Sequence, residues 1–229
     1  MLLIPRQIII VGAGPSGLLL ALLLAKAGIP VHILEAEDAL NNQPRAAHYG
    51  PPAIPDLRRA GIIDEVRRRG LLMHSMCWRN PNDHSYIAGF DGECLKDVDG
   101  DMRTTCLVLQ DLVKLMLDIF LDKYNGTISW QHQVISLGQD AEKAWVECET
   151  PSGKQTIQGD YIVGCDGANS AIRKGLFGED FPGYTWDQQI VATNVCPAKT
   201  LVKSLLTIHP DLLRLSRSWL CRRKLHHPP

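Results

Sequence analysis

Within the first 35 residues the apolar positions change rhythm twice. Ile8-Ile9-Ile10-Val11 is an unbroken β-branched run, the pattern of a strand buried on both faces. Gly12-Ala13-Gly14-Pro15-Ser16-Gly17 interrupts it as a turn, and Leu18 to Ala27 follows as a Leu- and Ala-rich helix with Gly28 suited to its C-terminal end. Val31 to Leu34 is a second strand, closed by Glu35. Strand, helix and strand in about 30 residues predict a right-handed parallel crossover.

Further along, residues 38 to 55 carry many turn formers, including Asn41, Asn42, Pro44, Pro51, Pro52 and Pro55. Asp56 to Arg69 reads as one helix, with Leu57, Ile62, Ile63 and Val66 on one side. Met73 to Ile87 is shorter and strand-like, broken at Asn80-Pro81-Asn82. Asp111 to Tyr124 returns to helical spacing at Leu112, Leu115, Met116, Ile119 and Phe120. Thr127 to Ser136 and Ala144 to Glu149 read as strands, with a hairpin turn near Pro151-Ser152-Gly153. Thr156 to Val163 leads into Gly164-Cys165-Asp166-Gly167. The alternation fades after Cys196, where residues 200 to 229 hold six Lys or Arg against a single acid, Asp211, and read as a loose basic tail.

Composition narrows the function classes. The chain of 229 residues is 45% apolar and 21% charged, an ordinary globular balance. Its formal net charge of −1 recruits neither nucleic acid nor an acidic membrane. Ile8 to Ala25 is nearly long enough to cross a bilayer, but Gly12, Gly14, Pro15 and Gly17 interrupt it, with no flanking basic cluster. No membrane span is expected. Seven scattered cysteines without a CxxC pair read as free, buried thiols in a reducing, cytoplasmic compartment. His74, His84 and His132 share no metal-ligand spacing, and the acids at 97, 99 and 101 lack the later Glu of a calcium loop. No metal site is expected, and that acidic loop reads as solvated.

The candidate chemistry lies in the first turn. Gly12 permits the tight turn, Gly14 lets a pyrophosphate approach the backbone, and Gly17 lets helix and strand pack closely. Pro15 and Ser16 lie in the same turn, ahead of a helix whose N-terminus offers free N–H groups and a partial positive charge to phosphates. Glu35 is placed to accept from both hydroxyls of a ribose, and its charge opposes a 2′-phosphate. An adenine dinucleotide is implied, but this unit alone does not separate FAD from NAD.

The second motif separates them. Tyr161-Ile162-Val163-Gly164-Cys165-Asp166-Gly167-Ala168-Asn169-Ser170-Ala171-Ile172-Arg173 is a strand, a turn with acid and glycine, and a helix start. Together with the glycine turn, it resembles the FAD-dependent aromatic hydroxylases, the group A flavin monooxygenases typified by p-hydroxybenzoate hydroxylase and phenol hydroxylase. Their Asp-Gly-x-x-Ser-x-Val-Arg pattern is met at Asp166, Gly167, Ser170 and Arg173, with Ile172 for valine. Pro44-Arg45-Ala46 is similar to the family's Arg-Ala segment beside the flavin, and Leu107-Val108-Leu109-Gln110 to the segment whose glutamine contacts the cofactor. The resemblance covers about residues 5 to 195.

It implies an α/β fold: a doubly wound, Rossmann-like FAD-binding domain over residues 1–180, with 71–105 contributing to an incomplete β-rich substrate layer. Residues 181–229 would hold the start of a substrate domain and the divergent basic tail. Gly12, Gly14, Pro15, Ser16, Gly17 and Glu35 would hold the ADP half of FAD, with Arg45, Gln110 and Asp166 along the rest. The implied activity is NAD(P)H-driven hydroxylation of an aromatic or other electron-rich small molecule by O2 through a C4a-hydroperoxyflavin, a chemistry that belongs to the cofactor and assigns no catalytic side chain. The family's third fingerprint, a Gly-Asp strand-to-helix element binding the ribityl chain, has no counterpart; Gly159-Asp160 lacks the helix start that should follow. The expectation is a reading frame that ends early or shifts near residues 195 to 200, with a natural short form as the competing account. Two alternatives stay open: another flavin oxidoreductase of this fold, such as a halogenase, saturase or reductase, and a flavin-binding or inert fragment without turnover.

Overall fold

A computed structural model describes residues 7–43, 47–80, 82–184 and 187. Strand β1 (Ile8–Val11) is buried along its whole length, as its β-branched run requires. Helix α1 (Pro15–Lys26) begins three residues ahead of the expected Leu18, because Pro15 fits the first turn of a helix, where a missing N–H is no loss. Gly28 ends it at φ +77°, while Gly28 N–H donates to Ala25 O and Ile29 N–H to Leu24 O, the paired bonds of a glycine-stopped helix. Strand β2 (Val31–Leu34) then lies parallel to β1, with Ile8 opposite Val31 and Val11 opposite Leu34.

The middle of the chain departs from the sequence expectation in one place. After the short strand β3 (His48–Tyr49) the expected single helix is two, α2 (Ile54–Ala60) and α3 (Ile63–Arg69). Gly61, at φ +77°, ends the first, and Ile62 N–H turns back to Leu57 O. Leu57, Ile62, Ile63 and Val66 are still all buried, so the apolar stripe survives the break. Next come β4 (Leu71–Leu72), the hairpin of β5 (Ser75–Arg79) and β6 (Tyr86–Asp91), and β7 (Thr105–Cys106), which pairs with both β3 and β4. Helix α4 (Leu109–Tyr124) buries Leu112, Leu115, Met116 and Phe120 on the face its spacing marked.

Two stretches that read as continuous strands each divide between two sheets. Thr127 to Ser136 splits into β8 (Thr127–Ser129), parallel to β2, and β9 (Gln133–Gln139), which joins an antiparallel sheet with β10 (Ala144–Thr150) and β11 (Gly153–Gly159). Gln131, at φ +56°, turns the chain between them. Thr156 to Val163 likewise splits into the end of β11 and β12 (Tyr161–Gly164), which is parallel to β1. The switch falls at Gly159-Asp160. A Cβ on Gly159 would sit 2.8 Å from Ile9 Cγ1, and Asp160 exchanges bonds with Gln7: Asp160 N–H donates to Gln7 O, and Gln7 N–H to the Asp160 carboxylate. Helix α5 (Ala171–Phe177) follows.

The parallel sheet therefore runs β12-β1-β2-β8. Ile8, Ile10 and Ile33 face a core shared with α1, α2, α3 and α4, while Ile9, Val11 and Leu34 face a smaller core with Val134, Val146, Cys148 and Ile172 of β9, β10 and α5. The mixed α/β architecture expected from the chain is the one observed. In both strands of the β5–β6 hairpin every residue is exposed, with Met76 paired to Phe90 and Trp78 to Ala88.

Candidate dinucleotide-binding site

Parallel strands deliver their C-terminal ends to one edge, and crossover helices begin there. The glycine turn follows β1, Glu35 follows β2, and Asp166 follows β12. Helix α4 leads into β8, so it runs back against the strands alongside α1, and its first turn, with Gln110, lies at that same edge. Residues far apart in sequence meet there because in open parallel sheets the carboxyl edge is where strand order and connections leave a crevice.

The three glycines do different work. A Cβ on Gly12 (φ +106°) would sit 2.5 Å from Cys165 O, and a Cβ on Gly17 would sit 2.0 Å from Gly12 O. Both are demanded by the chain's own packing. Gly17 thus packs helix against turn rather than helix against strand. Around Gly14, at φ −71°, a Cβ would meet nothing within 4 Å. Gly14 is the N-cap of α1; no side chain caps the helix, and no acid lies in its first turn. Pro15 and Ser16 stand exposed beside it. Free N–H groups, a positive helix end and an open approach over Gly14 form a seat for a phosphate pair.

Glu35 is half-buried beside this turn. One carboxylate oxygen accepts from Ala13 N–H at 2.6 Å and the other from Glu37 N–H at 3.1 Å. A carboxylate has about four acceptor positions, so capacity remains for ribose hydroxyls. Just beyond, Glu37, Asp38, Gln131, Gln133 and Glu149 line an open cleft, whose acids disfavour an added phosphate.

The Asp166 carboxylate is engaged within its own turn. Its two oxygens accept from Ser170 Oγ at 2.6 Å, Ala171 N–H at 2.6 Å and Ile172 N–H at 3.3 Å. Ser170 Oγ accepts from Arg173 N–H at 2.9 Å, and the Arg173 guanidinium donates to Ala168 O. The Asp-Gly-x-x-Ser-x-Ile-Arg sequence is thus a turn that caps its own helix. Cys165 N–H donates to Val11 O at 2.7 Å, which holds that turn against Gly12.

Arg45, with Pro44 and Ala46, lies outside the described residues. Gln110 Nε2 donates to Asn42 O at 3.1 Å, and its Oε1 is buried without a partner. Sequence reading passed over Tyr49, whose hydroxyl is also buried and unpartnered; burial, and then the neighbouring Cys106 thiol, push it up to about 12. A lone tyrosine between His48 and Gly50 carried no signal of this. An orphaned acceptor on Gln110, an uncapped helix end and the open approach at Gly14 fit a dinucleotide with a polar, hydroxyl-bearing second half.

Elsewhere the charged groups serve the fold. The 97–101 loop, expected to be merely solvated, is anchored at Asp101, which accepts from Arg103 at 2.9 Å and pairs with Arg67 at 3.5 Å. The Arg103 guanidinium foremost holds the Asp101 carboxyl down to about 2. His74 Nδ1 lies 2.6 Å from Glu93, and His132 Nδ1 lies 2.7 Å from Trp130 O. Among the described residues no group of three His, Cys, Asp or Glu is placed to hold a metal, and no helix is long and apolar enough to cross a membrane.

A family model described as FAD binding domain matches residues 6–209. The chain is 35% identical over 189 residues to a para-nitrophenol 4-monooxygenase of Pseudomonas sp. (strain WBC-3), covering 82% of this chain and 46% of that protein. It is 34% identical over 190 residues to the 6-hydroxy-3-succinoylpyridine 3-monooxygenase HspB of Pseudomonas putida (strain DSM 28022 / S16), covering 82% and 48%. The chain thus spans about half the length of these curated relatives. Among solved structures, p-nitrophenol 4-monooxygenase PnpA from Pseudomonas putida DLL-E4 superposes with a TM-score of 0.73 at 33% identity, covering 78% of this chain and 45% of that one. Because the family match takes in both the turn at Gly12–Gly17 and the self-capped turn at Asp166, the chain belongs to the family of FAD-binding domains.

Proposed function

We propose that this chain is the FAD-holding part of an aromatic-ring monooxygenase, taking NAD(P)H as reductant, O2 as co-substrate and an electron-rich phenol- or pyridinol-like small molecule as substrate. The observation that carries the reading is the open approach over Gly14 at an uncapped helix end. Gly14, Pro15, Ser16 and Gly17 would hold the pyrophosphate, and Glu35 the adenosine ribose. Gln110 would serve the ribityl–flavin half; Arg45 belongs to the same proposal. Asp166 acts there through the turn that it braces, with direct contact to the cofactor as the further expectation. When bound, FAD supplies the electron transfer and oxygen activation. The chain's own residues bind, orient and shield it. The names of the Pseudomonas relatives support the substrate class. The five described cysteines are all free, which supports a reducing, cytoplasmic setting, but only Cys106 and Cys148 are buried as expected; Cys77 and Cys94 are exposed, on the β5–β6 hairpin and the turn that follows it.

One observation favours a second reading, a chain that binds flavin without turnover. The β5–β6 hairpin, proposed as part of the substrate layer, leaves Met76, Trp78 and Phe90 bare on one face. A substrate pocket needs such a face covered, because catalysis of this kind excludes water. The test is colour and reduction. Purified protein reconstituted with FAD should be yellow, bleach with NADH or NADPH under nitrogen, and yield hydroxylated phenol in air. Yellow protein that never forms product selects the second reading, and colourless protein that FAD cannot reconstitute overturns both.

A further inference from the structure

With a pyrophosphate at Gly14 and a ribose at Glu35, the base of a dinucleotide has to lie beyond that carboxylate, away from the turn. The molecule is open there. A cleft of about 380 Å³ begins just past Glu35, with Ala36, Glu37, Gln131, Gln133, Glu149 and Pro151 among its lining residues. Its two sides are tied through the backbone: His132 N–H donates to Glu35 O at 2.8 Å, and Gln131 N–H to Glu37 O at 3.0 Å.

One pair of side chains in the cleft stands on regular strands. Gln133 of β9 lies directly opposite Glu149 of β10. The next pair along, Val134 and Cys148, is buried in the smaller core, so Gln133 and Glu149 stand on the other face, and both are exposed. Side chains so opposed have Cβ atoms about 5 Å apart, near enough to meet one edge of a ligand. Glu37, by contrast, sits in the bend after β2. A carboxylate accepts and does not donate, whereas an amide does both. Among the described residues no group of three His, Cys, Asp or Glu is placed to hold a metal, so ion coordination is not the work of these acids. An anion is repelled by them. A neutral ring that carries an amine beside a ring nitrogen suits the pair, since amide side chains match that edge of adenine.

We propose that Glu149, with Gln133 opposite it, is a specificity-determining residue for the base, its carboxylate accepting from the exocyclic amine of adenine in this cleft. This rests on the dinucleotide reading above.

The test compares ADP with purine riboside diphosphate, which lacks only that amine, by calorimetry on the whole chain. The parent should bind ADP about fivefold more tightly, as for one hydrogen bond. In Glu149→Ala the two affinities should agree within about twofold. Both nucleotides carry the same phosphates, so their ratio cancels the effect of the lost charge on the anion. The residue is exposed on its strand, so the variant should fold as the parent does. A parent that binds both nucleotides equally overturns the inference alone and leaves the FAD reading intact. A ratio that stays near fivefold in Glu149→Ala does the same. Parent protein that binds neither ADP nor FAD overturns the FAD reading and this inference together.

Discussion

Two strand–turn–helix elements stand side by side at the carboxyl edge of the sheet, and they manage the same physical problem in opposite ways. Each helix start leaves backbone N–H groups without intrahelical partners. After β12, Asp166 and Ser170 satisfy those of α5 from within the chain. After β1, no side chain caps α1, and the space over Gly14 stays open. A helix end that the protein caps is framework; one that it leaves bare beside an open approach has N–H groups free for a ligand. The two are interdependent, since the Cys165 carbonyl of the capped turn lies where a Cβ on Gly12 would go.

The largest expected effect tests the framework. Gly17→Ala places a Cβ 2.0 Å from Gly12 O, a backbone atom that cannot step aside. The cost should be about 3 kcal/mol or more, visible as a melting temperature lower by on the order of 10 °C. A melting temperature near that of the parent breaks the account of the turn.

Gly14→Val comes next and should separate binding from folding. The backbone at φ −71° accepts a side chain, and a Cβ there meets no protein atom. The variant should fold, yet lose FAD affinity by at least about 100-fold, because the branched side chain fills the pyrophosphate's approach. Unchanged affinity by flavin fluorescence overturns the placement of the cofactor.

Asp166→Ala removes the cap of α5. The expected loss is about 1–2 kcal/mol, or a melting temperature lower by about 3–6 °C, with ADP affinity nearly unchanged. If ADP binding instead falls as far as in Gly14→Val while the melting temperature holds, the contrast between the two turns is lost.

The smallest effect is one of pH. His32, on β2, is held below its ordinary value first by burial and then by nearby His132, and its Nε2 lies 2.8 Å from Ser129 Oγ. The folded state therefore takes up its proton less readily than the unfolded chain. The unfolded chain gains protons first as pH falls, so stability is full above about pH 6.5 and declines below it. Melting temperatures measured between neutral pH and pH 5 should fall by about a degree or two more in the parent than in His32→Gln. Equal slopes remove His32 from the account.

Much of this fold was legible because local backbone chemistry is written in short spacings. The β-branched run at 8–11, the glycine turn, the stop at Gly28 and the acid at 35 all landed where their spacing placed them. The two strand errors had one cause. A strand's alternating pattern does not say which sheet it joins, so Thr127–Ser136 and Thr156–Val163 each read as one element where the chain changes sheets. At 56–69 the helical stripe continued across Gly61, and periodicity hid the break. Tyr49 was missed because an orphaned hydroxyl exists only once neighbours have closed around it.

Sequence alone determined the turn, the crossover and the kind of ligand, since φ preference, helix propensity and charge act over a few residues. The tertiary structure decided which glycine leaves an open approach, that Asp166 turns back on its own helix, and which polar atoms are left wanting. Those outcomes depend on neighbours brought together by folding, such as Gln7 and Asp160, 153 residues apart, and no short spacing encodes them.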